Sequence, residues 1–320
     1  MTNQCIVAGI QTDEHAKRFQ QTWADVYTSP SLEIPWYLVA GNHDHYGNVT
    51  AQIEYSKQFT PDTGRSWNFP SLYHTKTFSA DGVTVDLVFI DTVDLSGNTE
   101  GFEEVNGEEN PYYYDPLPPR TRESAADQWD WIEAQLQSST ADYLFVAGHF
   151  PVYSVCQHGN TQNLIDNLKP LLVKYNVTGY LAGHDHCMSV VKEPDFPLYY
   201  IVSGNANFCC TQPDHLEDIP VDKELEWYAA GKKLALRGGF STIRVPDLTA
   251  GLTIAFHDQD GELLHATDSV PPRTPATAAA AVAATAKTTS GASCTELNCG
   301  QYYMNCDCDA AGDNCACHAH

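Results

Sequence analysis

Residues 36–46 read WYLVAGNHDHY: four apolar residues and an alanine run into Gly41, and Asn42, His43, Asp44 and His45 follow without a break. Taken alone, an amide, two imidazoles and a carboxylate after a buried-looking strand make an ordinary polar turn. The chain, however, repeats the phrase. YLFVA leads into GHFP (148–151), GYLA into GHDH (183–186) and YYIVS into GNAN (204–207). Each is a short apolar run, a small residue, a glycine and a side chain able to ligate. In open α/β sheets ligands bind beyond the carboxyl ends of strands, where glycine lets the backbone turn sharply and approach a bound group. The pattern predicts that Asn42, His149, His184 and His186, with Asn205 as a further candidate, converge on one sheet edge. Four unrelated turns are the competing reading, and three histidine-bearing turns outweigh it. Such nitrogen and oxygen donors suit Zn²⁺, Fe or Mn²⁺.

Around these turns, residues 1–270 read as one α/β domain. Ala16, Phe19, Trp23 and Val26 fall at helical spacing, with Thr12 or Asp13 as the expected N-cap. Leu164, Ile165, Leu168, Leu171, Leu172 and Tyr175 repeat the pattern. VTVDLVFID (83–91), GGFSTIRV (238–245) and GLTIAFHD (251–258) read as strands, and the acidic, Pro/Gly-rich 97–120 as a long surface loop. Residues 271–293, rich in Pro, Ala and Thr, read as a linker rather than an alanine helix. Residues 294–320 form a Cys-rich module with six cysteines, in which C-x-C occurs at Cys306/Cys308 and again at Cys315/Cys317. In an oxidising compartment these six form disulfides with fifteen possible pairings; in a reducing one, their thiolates with His318 and His320 suit Zn²⁺.

Composition excludes several classes of function. Among 320 residues, 41 are acidic and 17 basic, a net charge of −24. That leaves too little Lys and Arg to neutralise nucleic-acid phosphates, and it disfavours anionic membranes. No apolar run reaches the ~20 residues of a membrane span, and the start, MTNQCIVAGIQTDEH, lacks the basic region and apolar core of a signal peptide.

GNHDHYGNVTAQIEYSK, AGHFPVYSVCQHGNT and YLAGHDH, three separated motifs in one order, resemble the purple, tartrate-resistant acid phosphatases of the metallophosphoesterase (calcineurin-like) superfamily. The resemblance runs from about residue 9 to about residue 267. It implies a β-sandwich flanked by helices, with a binuclear centre of Fe with Fe, Zn or Mn, acting on small phosphomonoesters or phosphoproteins. It further implies that Asn42, His149 and His184 hold the divalent ion and His186 its ferric neighbour. His43 and His158 are implied to stand over the substrate and protonate the leaving alkoxide, and Asp44 and Asp185 to orient neighbouring imidazoles. His45 is expected to be structural; His15, His74, His215, His257 and His265 match no motif and are expected to be surface or strand residues.

Two motifs of that family, GD-x-GG and GDNFY, are not found, so the domain is expected to be N-terminally truncated. Asn3 and Ile6 stand where a bridging Asp and a tyrosinate belong, and at most one divalent metal is then expected. An incomplete gene model, a truncated pseudoenzyme that binds metal or phosphate, and completion of the site by another chain are the competing explanations. The sequons Asn48-Val-Thr50 and Asn176-Val-Thr178, with the cysteine-rich tail, imply a secreted or lysosome-like setting and disulfides in the tail. The partner of the tail is unknown.

Overall fold

The structure, a computed structural model, describes residues 10, 12–45, 47–96, 104–105, 108–109, 122–205, 213–220, 223–229, 238–275, 304–308 and 315–319. At 104–105, 108–109, 122–124, 304–308 and 315–319 it describes the backbone only. The chain divides into two units, Met1–Pro275 and Ala276–His320.

In the first unit, α1 (Lys17–Phe19) runs on as a π-helical turn over Gln20–Ala24. Phe19 and Trp23 are its buried face. Val26, next in the apolar spacing, is exposed because the turn has closed at Asp25. Neither expected cap is used: Ala16 precedes α1 with no side-chain cap, while Asp13 accepts from the His15 N–H. The strand expected over WYLVA is only β1 (Trp36–Tyr37), after which the chain turns into α2 (Asn42–His45) and α3 (Val49–Ser56). The side-chain oxygen of Asn48 caps α3, accepting from the Ala51 N–H at 3.3 Å. β2 (Trp67–Asn68) pairs parallel with β1.

The main sheet begins with the hairpin of β3 (His74–Ala80) and β4 (Val83–Phe89), followed by α4 (Thr92–Ser96). Most of the acidic 97–120 stretch lies outside the described residues, except for a small hairpin of β5 (Glu104–Val105) and β6 (Glu108–Glu109). Then come α5 (Arg122–Ser138), β7 (Tyr143–Ala147), a π-helical turn over Leu164–Leu168 continuous with α6 (Lys169–Lys174), and β8 (Gly179–Ala182). In the second helical segment Leu164, Leu168, Leu172 and Tyr175 are buried while Ile165 and Leu171 are half-buried, as the three-to-four-residue spacing requires. β9 (Met188–Lys192), β10 (Tyr199–Ser203) and β11 (Glu224–Tyr228) complete a seven-stranded sheet in the order β11-β9-β10-β8-β7-β4-β3.

Its centre, β4-β7-β8-β10, is parallel and its flanks antiparallel. The sequence YLFVA suits the middle position because every residue of β7 is buried, the signature of a parallel strand covered on both faces. A second sheet of β12 (Gly239–Arg244), β13 (Thr253–Asp258) and β14 (Leu263–Ala266) supplies Ile254 and Phe256 to the same core as Tyr143, Phe145, Val190 and Ile201. The two sheets thus form the expected sandwich, and each fully buried aliphatic or aromatic side chain contributes roughly 1.5–3 kcal/mol.

This unit extends past residue 270, the boundary expected from composition. Arg273 is buried, its guanidinium donating to the carbonyls of Ser139, Ala141 and Tyr175. In the second unit β15 (Met304–Cys308) pairs antiparallel with β16 (Cys315–Ala319), with Cys306 opposite Cys317 and Cys308 opposite Cys315. Residues 276–293 of the linker, Cys294 and Cys299 lie outside the described residues.

His74 is a strand residue but not a surface one: it stacks on Phe89 at 4.5 Å between ring centres and is 8% exposed. Burial pushes its pKa down from 6.5 to about 4. The folded protein therefore holds it neutral while the unfolded chain takes up a proton below about 6.5, so stability falls as pH drops from there towards 4. Between pH 7 and 4.5 this group alone is expected to cost about 2–3 kcal/mol. Denaturant melts of the wild type and His74→Phe across that range should diverge by about this amount; parallel profiles would show that His74 is not held neutral.

Candidate metal centre

β7, β8 and β10 lie side by side and parallel, so the loops that leave them emerge together. The first two are tied at the exit: the Gly148 N–H donates to the Leu181 carbonyl and the Gly183 N–H to the His149 carbonyl, each at 3.0 Å. α2 brings Asn42 to the same place. Gly41 before it is seated against the His149 imidazole so closely that a Cβ would fall 2.7 Å from its Cε1. Asp44 closes this turn by accepting from the Gly41 N–H at 2.9 Å and the Gln52 amide at 2.7 Å.

Three of the predicted donors meet. Asn42 Oδ1 lies 2.8 Å from His149 Nε2, which lies 3.2 Å from His184 Nδ1. Asn42 is fully buried, and its Nδ2 has no hydrogen-bond partner among the described residues. His184 is buried in the left-handed region at φ 61°, an uncommon conformation for a non-glycine residue and one that clusters at ligand-holding sites. A neutral imidazole nitrogen carries either a proton or a lone pair, so His149 Nε2 cannot at once donate to Asn42 Oδ1 and accept from His184 Nδ1, whereas all three atoms can present lone pairs to one cation. Donors about 2.0–2.1 Å from a tetrahedral Zn²⁺ lie about 3.3 Å from each other, close to the spacing seen here. The set fits a divalent cation.

The other candidates are placed differently. His43 follows Asn42 on α2, and His186 follows His184 by two residues; both are half-buried. Among the described residues no third His, Cys, Asp or Glu donor joins His149 and His184 within 4.8 Å of both. Asn205, at the end of β10, is fully buried and its amide lies against Gly239. His158 is exposed, with its ring 4.3 Å from that of His184. His45 is buried and pairs with Asp91 at 3.1 Å, and Asp91 in turn caps α4, so this histidine anchors α2 from below.

Among the described residues, the hydrogen bonds of Asp44 and Asp185 go to groups other than imidazoles. Both brace backbone, since a carboxylate in so tight a turn reaches nearby N–H groups before it reaches a ring. Buried Asp185 accepts from Ser154 Oγ at 2.6 Å and from the N–H groups of His158 and Gly159 at 3.1 and 3.3 Å. Sequence reasoning also missed a buried disulfide between Cys156 and Cys187. The signal was present, because Cys156 stands two residues before His158 and Cys187 one after His186. The bond staples the loop of the candidate proton donor to the loop of the candidate ligands.

Residues 9–188 match the family described as calcineurin-like phosphoesterase. Tartrate-resistant acid phosphatase type 5 of Oryctolagus cuniculus is 37% identical over 254 residues, covering 78% of this chain and 72% of the relative. The same enzyme of Homo sapiens is 36% identical over 262 residues (81% and 74%), and purple acid phosphatase 17 of Arabidopsis thaliana 31% over 253 residues (79% and 68%). Among solved structures, GAP50, the anchor in the inner membrane complex of Plasmodium, shares the fold with a TM-score of 0.62 at 19% identity, over 84% of this chain and 76% of that one.

Proposed function

Because the chain belongs to the calcineurin-like phosphoesterase family, we propose that it is a metal-dependent phosphomonoesterase of the purple acid phosphatase kind. The observation that carries this reading is the convergence of Asn42, His149 and His184 at the carboxyl ends of adjacent parallel strands. These three residues would hold one divalent ion. Bound there, it supplies Lewis-acid polarisation of a phosphoryl oxygen.

The chain's own residues do the rest. Asn42 and His149 are held by Gly41 and the turn that Asp44 closes, so the donors are placed before any ligand arrives. His158, exposed above His184, has the position for a proton donor to a leaving alkoxide, which leaves poorly without one. His43, on the same short helix as Asn42, is the second candidate to contact phosphoryl oxygens. The protein supplied with Zn²⁺ or Mn²⁺ is expected to hydrolyse p-nitrophenyl phosphate, and His158→Ala to lower turnover by about 10²-fold. Undiminished turnover in the variant would remove His158 from the chemistry.

One observation favours a second reading. Asn42, His149 and His184 are all neutral donors, and no carboxylate joins the two histidines among the described residues. Three neutral donors hold one divalent ion and leave the far side of a phosphate unclamped, the arrangement of a metal- or phosphate-binding protein. Metal bound without turnover in the same assay selects this reading.

We place the protein in an oxidising, secreted or lysosome-like compartment, on the support of the buried Cys156–Cys187 bond. Both sequon asparagines, Asn48 and Asn176, are exposed, consistent with a glycoprotein. Among the described residues no helix is long and apolar enough to cross a membrane.

A further inference from the structure

His215 is a surface residue, as its lack of a motif suggested, but one with a full set of bonds. It begins a short turn, continued by the 3-10 helix Leu216–Asp218, that lies against the loop carrying His158. The turn grips that loop along its length. The His215 N–H donates to the Val155 carbonyl at 3.1 Å, and the Asn160 side chain donates to the Asp218 carbonyl at 2.8 Å. Between these ties the His215 ring is seated on Gly159, where φ is +68° and a Cβ would fall 2.8 Å from the ring. Its Nε2 points at the Gln157 carbonyl, 3.1 Å away, and its Nδ1 at Asp218 Oδ2, 2.6 Å away.

We propose that His215 is a positioning residue for His158, and that it holds the His158 loop best on the acid side of neutrality. Both ring nitrogens face acceptors, and only an imidazolium can donate to both. Two carboxylates act on the ring: Asp218 on its own turn and Asp185 from the loop between β8 and β9. The hydrogen bond to Asp218 is the main reason its pKa stands above the ordinary 6.5. Because the folded value is raised, the tie is fully present below about 6.5 and is lost as pH rises through the folded value. One of the two ring bonds then goes, and the loop keeps the ties made by the His215 N–H and the Asn160 side chain, with Asp185 and the Cys156–Cys187 bond beneath it. The exposed ring of His158 depends on that backbone for its place above His184.

The inference rests on the reading of His158 as the proton donor, and its test separates the two. Hydrogen exchange of the amides of residues 155–160, expressed as protection relative to intrinsic rates, is measured at pH 5.5 and 8.0 on the full chain. Wild-type protection is expected to fall about five- to ten-fold at the higher pH, the net worth of one hydrogen bond. His215→Phe keeps the ring on Gly159 without its donors and should show the lower protection at both pH values. Asp218→Asn, a milder change, should move the loss of protection to lower pH. In turnover of p-nitrophenyl phosphate, His215→Phe should lower kcat about five-fold at pH 5.5 with KM little changed, and have little effect at pH 8.0. Equal, pH-independent protection in wild type and both variants would overturn the inference. Absence of turnover would overturn the phosphatase reading alone, since exchange reports the loop without it.

Discussion

Replacing His149 with alanine is expected to lower the affinity for Zn²⁺ or Mn²⁺ by about 10²-fold or more and to abolish whatever phosphatase turnover the protein has. Loss of a mere hydrogen-bond partner of a metal ligand costs 10–100-fold in affinity, so loss of a donor sets that range as a floor. His149 is the right residue to remove because its Nε2 stands between the other two donors, 2.8 Å from Asn42 and 3.2 Å from His184. Gly41→Ala is the companion test. It deletes no donor, but its Cβ would lie 2.7 Å from the His149 ring, so the ring or the turn must shift. A loss of about ten-fold is expected there, the lower end of the same range. Calorimetric titration of the full chain, read as a difference from each variant, removes any contribution of the tail cysteines. Wild-type affinity in His149→Ala would place the ion elsewhere.

Serine at both Cys156 and Cys187 is expected to cost about 3–4 kcal/mol of stability. The two cysteines are 31 residues apart, and the cross-link removes the corresponding freedom from the unfolded chain. For a unit of this size the melting temperature should drop by about 5–7 °C. The bond is buried with Cys156 at 2% and Cys187 at 0% exposure, so reductant alone should act slowly on the folded protein, and the double variant is the cleaner test. A change below about 1 kcal/mol would show that Asp185 and the His215 turn already define the loop.

Much of the site was legible locally. YLFVA, GYLA and YYIVS became β7, β8 and β10 because uninterrupted apolar runs of four or five residues suit parallel strands covered on both faces. The glycine after each marks where the backbone leaves the sheet, and two of those glycines are followed by the histidines that meet Asn42. The same local logic failed at WYLVA, which keeps only two residues of strand beside β2. At His74 it gave a strand residue but not its burial, since a polar identity does not record a place stacked on Phe89.

The sequence by itself determined the alternation of strands and helices, the four glycine turns and the donor types they carry, since each depends on residues within a few positions of one another. Only the tertiary structure decided which turns become neighbours. Strand register sets Gly148 beside the end of β8, and a left-handed φ aims His184 at His149. Cys156 finds Cys187, Asp185 finds the backbone of His158 rather than an imidazole, and His215 reaches across 58 residues to Gln157. Those choices rest on side chains brought together from distant parts of the chain, where no local periodicity records the partner, and the packing of two sheets around one core selects it.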